Sequence, residues 1–232
     1  MGLAEIVDNP DFRDKVHIFD DRSHAGKMLA KLLKQYKGRE DAIILAIPAG
    51  GIPVAVQVSK KLNVPWDLAV TTKLHIPWNK EAGFGAISWD GTVILNKPLV
   101  DSLGLTTGEI EHCVEEEKRV IQRRLEKFRV NEPFPDLEGK VAIVVDDGLA
   151  SGFSMLVTAK TLREKAGRVV VAVPTSPVSA IELISSYVNI IVCLNIRSGP
   201  IFAVADAYKL WYDLTDKDVI DILKRNQRFG ET

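Results

Sequence analysis

Four short apolar runs constrain this chain more than any other feature. Asp41–Pro48 (DAIILAIP), Val141–Val145 (VAIVV), Arg168–Val173 (RVVVAV) and Ile190–Leu194 (IIVCL) are apolar at nearly every position. A strand covered on both faces must read that way, whereas a half-exposed one alternates. None approaches the roughly 18 residues of a membrane span. Between the runs the apolar period changes to that of a helix. After the cap-like Asp21-Arg22-Ser23, Met28, Leu29, Leu32 and Leu33 mark one face of His24–Tyr36. Pro53–Leu62, Gly152–Ala166 and Val178–Ser185 also read as helices, the first with proline in its opening turn. Asp67–Lys73 (DLAVTTK) reads as a further strand. Strand–turn–helix–strand units of this kind build a parallel sheet.

The middle of the chain departs from this rhythm. Leu74–Gly85 (LHIPWNKEAGFG) holds a proline and two glycines without a clear period and reads as a loop. Ala86–Trp89 and Thr92–Asn96 flank Asp90-Gly91, a strong hairpin signal. Thr106–Arg129 reads as one long helix capped by Thr106 or Thr107. Its acids precede its arginines, as the macrodipole favours, and Glu115–Arg119 is an expected ion pair one turn apart. Asn131–Lys140 is a proline-punctuated connector, and the tail from Asn195 ends in a helix opened by Asp216. The expectation is an α/β fold: a mainly parallel sheet flanked by helices, with a hairpin-and-loop insertion and a small C-terminal appendage, all in one domain over 1–232.

Composition excludes several function classes. Thirty Lys plus Arg against 31 Asp plus Glu leave a formal charge of −1, so no global field draws the chain to nucleic acid or anionic lipid. Two cysteines, Cys113 and Cys193, are too few for a disulfide scaffold or a cysteine zinc cluster. Met1–Asp14 lacks the apolar core of a signal peptide. A cytoplasmic protein with no nucleic-acid and no membrane partner is expected.

The chemistry concentrates in Val141–Ser154, VAIVVDDGLASGFS. A buried strand runs straight into two acids, then a loop with Gly148 and Gly152, then Ser151 and Ser154 before a helix. Glycines let backbone N–H groups close around an anion, and a helix N-terminus favours a phosphate. Adjacent carboxylates suit vicinal hydroxyls or a hydrated Mg²⁺, not the phosphate itself. An isolated Asp-Gly would be an ordinary helix cap; the whole string describes a sugar phosphate. A nucleotide P-loop is excluded because no Gly-Lys-Ser/Thr occurs.

The string resembles the phosphoribosyl-pyrophosphate signature of the type I phosphoribosyltransferases: an apolar run, two acids, three residues, then Thr-Gly-x-Thr, with serine here at both threonine positions. The resemblance implies that Asp146 and Asp147 hold the ribose hydroxyls, and a metal through those hydroxyls or water. It implies that Gly148, Leu149, Ala150, Ser151, Gly152, Phe153 and Ser154 wrap the 5-phosphate. Ala49, Gly50 and Gly51 fall where the family places its pyrophosphate loop, Lys73 ends the next strand, and Leu74–Gly85 falls where the family has a mobile catalytic loop. The segment from about 195 to 232, with Leu210-Trp211-Tyr212, lies where it builds a hood over the acceptor, leaving a core of about 17–194. More narrowly, FDDRSHAGKMLAKLL, IPAGGIPVAVQVSKKL, FGAISWDGTVILN, VVDDGLASG and LWYDLTDKDV resemble a little-characterised branch of that family.

The resemblance therefore implies a Mg²⁺-dependent transfer of the phosphoribosyl group from 5-phosphoribosyl 1-diphosphate to a nitrogen acceptor, a nucleobase or related heterocycle, by a homodimer. Lys73 would neutralise the departing pyrophosphate, and Trp211 or Tyr212 would stack on the acceptor. His75 and Glu81 would belong to the closing loop. Two positions depart from the pattern. Ala49 stands where many relatives carry arginine, and Ala150 stands where 6-oxopurine enzymes carry aspartate. The alternative from another class is a non-catalytic regulator binding the same sugar diphosphate. His17, His24 and His112 show no metal spacing, and both cysteines read as small buried hydrophobes.

Overall fold

The computed structural model describes residues 2–129 and 133–226. Two connector residues, Asn131 and Glu132, and residues 227–232 of the expected hood lie outside the described residues. In chain order the elements are β1 (Glu5–Asp8), α1 (Arg22–Leu32), β2 (Ala42–Ala46), α2 (Gly51–Leu62), β3 (Trp66–Leu68), β4 (Thr71–Ile76), β5 (Asn79–Ser88), β6 (Val93–Leu95), α3 (Lys97–Leu103), α4 (Thr107–Arg129), β7 (Val141–Val145), α5 (Phe153–Arg163), β8 (Arg168–Pro177), α6 (Val178–Ile184), β9 (Ile190–Arg197) and α7 (Asp216–Arg225). Six strands form one sheet in the order β1-β9-β8-β7-β2-β3, and every pairing in it is parallel. A separate antiparallel sheet holds β4-β5-β6.

The apolar runs do what their composition requires. Successive side chains of a strand face opposite ways, so Ala42, Ile44 and Ala46 of β2 pack with Leu29 of α1 and Ile52 of α2. Ile43 and Leu45 pack with Leu156 of α5 and Ile181 of α6. Val141–Val145 divides between the same two layers. Each fully buried aliphatic side chain contributes about 1.5–3 kcal/mol, so both layers must be covered for the strands to hold. Among the described residues no helix is long and apolar enough to cross a membrane.

The capping chemistry matches the elements it opens. Asp21 accepts the His24 N–H at 2.6 Å and starts α1. Thr106 and Glu109 exchange side-chain and backbone bonds at the head of α4, as do Thr215 and Asp218 at α7. On α4 the expected Glu115–Arg119 pair is not formed; Lys118 takes Glu115 instead at 2.6 Å, one of several nearly equivalent choices on a solvated face.

Two segments differ from the sequence reading. Asp67–Lys73 is not one strand: β3 closes the edge of the parallel sheet, the chain bends at Ala69 and Val70, and β4 begins the antiparallel one. Both halves are buried, so hydrophobicity carries no mark of the bend. Leu74–Gly85 is not a loop but the β4–β5 hairpin, turning at Pro77 and Trp78. Its glycines are close-approach positions inside the ladder: a Cβ on Gly85 would strike the Ile94 carbonyl, and one on Gly83 would lie 3.3 Å from the Leu74 carbonyl. Glycine within a strand often marks such a place. The Asp90-Gly91 hairpin, β5–β6, is present as read.

Candidate functional site

Strand order reverses between β2 and β7. From β2 the chain proceeds outward to β3; from β7 it proceeds the other way through β8 to β9. Ala46 pairs with Val145 at the ends of these strands, and the Ile47 N–H continues the ladder to the Val145 carbonyl at 2.9 Å. The loops that leave them therefore diverge side by side, and ligands of open parallel sheets bind in the crevice so formed. A cavity of about 320 Å³ opens there.

The β7–α5 loop forms one wall. Leu149 is buried and its N–H donates to the Thr175 carbonyl at 3.0 Å, pinning the loop to β8. Beyond that anchor, the backbone N–H groups of Ala150, Ser151, Gly152, Phe153 and Ser154 have no protein acceptor among the described residues, nor do the hydroxyls of Ser151 and Ser154 have a partner. Gly152 turns the chain into α5 with φ of 81°, a conformation that costs other residues about 1–2 kcal/mol. Unpaired donors converging on a helix N-terminus form an anion cradle. Phe153 itself turns away and packs beneath the loop against the α5–α6 layer.

Asp146 and Asp147 form the floor with an arginine that local sequence reading passed over. Arg22 Nε donates to Asp147 Oδ2 at 2.7 Å, and Nη1 donates to the Tyr212 carbonyl at 2.8 Å. Its guanidinium carbon lies 3.9 Å from the ring centroid of Trp211. Tyr208 donates its hydroxyl to the Asp147 carbonyl at 2.5 Å. Burial and the Asp147 charge push the Asp146 carboxyl well above the usual carboxylate range. Burial raises Asp147 as well, opposed by the Arg22 guanidinium. The adjacent acids are thus unequal: Asp147 is ion-paired with Arg22, whereas Asp146 forms no ion pair among the described residues and accepts the Asp147 N–H at 2.8 Å.

The β2–α2 loop forms the facing wall, with a cis peptide between Pro48 and Ala49. Ala49 and Gly50 line the cavity, and their N–H groups have no protein acceptor among the described residues. Gly51 lies off the cavity. Its N–H is consumed by the Ile47 carbonyl at 3.0 Å, and its Cα packs on β7, where a Cβ would stand 2.6 Å from the Val145 carbonyl. The free amides of this loop are therefore those of Ala49 and Gly50, one residue earlier than the glycine pair implies. A Cβ on Gly50 would overlap the Asp147 carboxylate. Gly50→Ala is expected to displace that carboxylate from Arg22 and to cost about 1–3 kcal/mol by overpacking, read as a lowered urea midpoint at unchanged slope.

Lys73 reaches the cavity from β4 and has no protein partner among the described residues. Of the two hood aromatics, Trp211 lines the cavity, whereas the Tyr212 side chain is 55% exposed; its carbonyl accepts from Arg22, and its ring centroid lies 5.9 Å from the Arg22 guanidinium carbon. The hood is tied down along 17–20: the Phe19 N–H donates to Ala207, and the Lys209 and Leu210 N–H groups donate to Phe19 and Asp20. That zipper sets Trp211 beside Arg22. His75 lies outside the cavity, with Nδ1 2.9 Å from Glu117. Both cysteines are buried, and burial pushes the Cys193 thiol up to about 12. Among the described residues no cluster of three or more His, Cys, Asp or Glu could hold a metal ion.

Residues 19–204 match the family model described as the phosphoribosyl transferase domain. The chain belongs to the phosphoribosyl transferase family. It is 35% identical over 212 residues, 91% of its length, to Rv0571c of Mycobacterium tuberculosis, which bears a provisional phosphoribosyl transferase name. The chain spans about half, 47%, of the length of the curated relatives it matches. Among solved structures it resembles TT1426 from Thermus thermophilus, with 31% identity, a TM-score of 0.71, and coverage of 89% of this chain and 98% of that one. The phosphoribosyl transferase match includes Arg22, both glycine-bearing loops, the acid pair and Lys73; Trp211 falls beyond its end.

Proposed function

We propose that this phosphoribosyl transferase family member moves the 5-phosphoribosyl group from 5-phosphoribosyl 1-diphosphate to a nitrogen heterocycle, releasing pyrophosphate. The observation that carries the reading is the row of five unpaired backbone N–H groups and two free hydroxyls that begins three residues after the acid pair. The row takes the 5-phosphate, with each charge-assisted bond contributing about 1.5–3 kcal/mol. Asp146 and Asp147 take the ribose hydroxyls. Ala49, Gly50 and Lys73 face the diphosphate, and the outer part of Trp211 is offered to the acceptor. Displacement at the anomeric carbon leaves positive charge on the ring and negative charge on the departing diphosphate, so the work of these residues is positioning and charge stabilisation.

The donors present fit Mg²⁺ only as an ion carried in with the diphosphate. Mg²⁺ keeps several waters and is bound through one or two carboxylates plus substrate phosphates; the site offers the pair Asp146 and Asp147, and among the described residues no cluster of three or more His, Cys, Asp or Glu could hold the ion without the substrate. When bound, the ion would neutralise diphosphate charge; Asp146, which forms no ion pair among the described residues, is the residue to face its water shell. The test is pyrophosphate release with Mg²⁺ across a panel of nucleobases and related heterocycles. Release that requires one acceptor is the expected result. Binding of the sugar diphosphate without release would make the protein a regulator, and acceptor-independent ribose 5-phosphate would make it a hydrolase.

A further inference from the structure

Arg22 is 7% exposed, yet its guanidinium is only partly used. Of its five N–H donors, Nε serves Asp147 and Nη1 serves the Tyr212 carbonyl. Nη2 has no protein acceptor among the described residues and is not sealed off from solvent, and Arg22 lines the cavity. A guanidinium cannot shed its proton to escape an unmet bond. The ion pair with Asp147 at one edge and the Trp211 ring on one face fix its plane before any ligand arrives. The cavity otherwise presents one cationic side chain, Lys73, against the carboxylates of Asp146, Asp147 and Asp213. The β2–α2 loop contributes only backbone donors at Ala49 and Gly50.

We propose that Arg22 is the diphosphate-selecting residue of this site, held on Asp147 through Nε while its free Nη2 edge takes the diphosphate. The assignment rests on the sugar-diphosphate reading above. A sugar whose ring hydroxyls sit on Asp147 carries its anomeric substituent on the adjoining carbon, beside whatever pairs with that carboxylate. A guanidinium whose plane is already fixed loses less freedom in meeting a phosphate oxygen than a mobile ammonium does. Arg22 thereby lets the site distinguish a sugar 1-diphosphate from a sugar monophosphate, although it belongs to neither phosphate-facing loop.

The test is calorimetric titration with inorganic pyrophosphate and, separately, ribose 5-phosphate, both with Mg²⁺, of the wild-type protein, Arg22→Met and Arg22→Lys. Arg22→Met is expected to weaken pyrophosphate about 10–100-fold and to change ribose 5-phosphate by less than about threefold. Arg22→Lys, which keeps the charge and loses the fixed planar donor, should fall between. Unchanged pyrophosphate binding in Arg22→Met overturns the proposal and leaves the sugar-phosphate reading intact. Equal weakening of both ligands also overturns it, since Arg22 would then only hold the shape of the site. Wild-type protein that binds neither ligand overturns the underlying reading and this proposal together. Should Arg22→Met fail to fold, the same pair of titrations on Arg22→Lys decides: selective loss of pyrophosphate supports the assignment, and none overturns it.

Discussion

Asp146→Asn and Asp147→Asn are each expected to lower turnover of 5-phosphoribosyl 1-diphosphate by about 10–100-fold, and together by about 10²–10⁴-fold, while moving stability in opposite directions. The activity estimate takes one charge-assisted bond of about 1.5–3 kcal/mol from each carboxylate. Stability separates them because their surroundings differ. Asp147 holds the buried guanidinium of Arg22 at 2.7 Å, so Asp147→Asn strands a charge that cannot neutralise itself, the usual reason that breaking such a pair destabilises. Asp146 forms no ion pair among the described residues, and burial and the Asp147 charge outweigh the Asp147 N–H and the more distant Arg22 charge in disfavouring its ionised form. Asp146→Asn removes that penalty.

The sign of the pH dependence follows. A carboxyl raised above its unfolded value binds more protons folded than unfolded between the two values, so its contribution to stability falls as pH rises through that window. For Asp146 the window opens near about pH 4 and extends upward. Urea unfolding of the parent should therefore lose stability as pH rises from about 4, with Asp147, also raised, contributing to the fall, and Asp146→Asn should flatten that slope. Thermal midpoints on opposite sides of the parent for the two single variants are the diagnostic result. Two variants that both lose stability would contradict the asymmetry.

The parts of this architecture that were legible are those in which cause and effect lie close together in sequence. Continuous apolar runs such as Val141–Val145 demand cover on both faces, and the two helical layers supply it. The acid pair, glycines and serines sit within one stretch, so their shared use could be read before any fold was known. Glycine was ambiguous: Gly83 and Gly85 read as loop residues but serve close packing in the ladder. Arg22 lies 125 residues from Asp147, and Tyr208 lies 61 from it, so no local pattern could join them. The trace Arg22 does leave is electrostatic. A cation in the first turn of α1 opposes the helix dipole, and such an anomaly points to a partner elsewhere.

Lys73→Met is expected to reduce the catalytic rate about 10²–10³-fold, in the range seen when one preorganised charge-stabilising donor is removed, with ribose 5-phosphate affinity little changed. The argument turns on the hairpin that replaced the expected loop. Lys73 pairs with Ala86 inside the β4–β5 ladder, and its stem runs past Gly83, where a Cβ would come within 3.3–3.4 Å of its own carbons. On the flanks of Lys73, Glu117 of α4 accepts the Thr72 hydroxyl at 3.0 Å and lies 2.9 Å from His75 Nδ1. The backbone beneath the ammonium is thus fixed by a sheet and a helix, while the ammonium has no protein partner among the described residues and reaches the cavity. A charge held this way needs little reorganisation as diphosphate departs. Lys73→Met also keeps the stem's apolar contact, so unfolding curves of variant and parent should coincide and leave the rate as the readout. A single-turnover rate within about threefold of the parent would reduce Lys73 to a solvated strand residue. A large drop in rate with intact ribose 5-phosphate binding would place its charge on the leaving group.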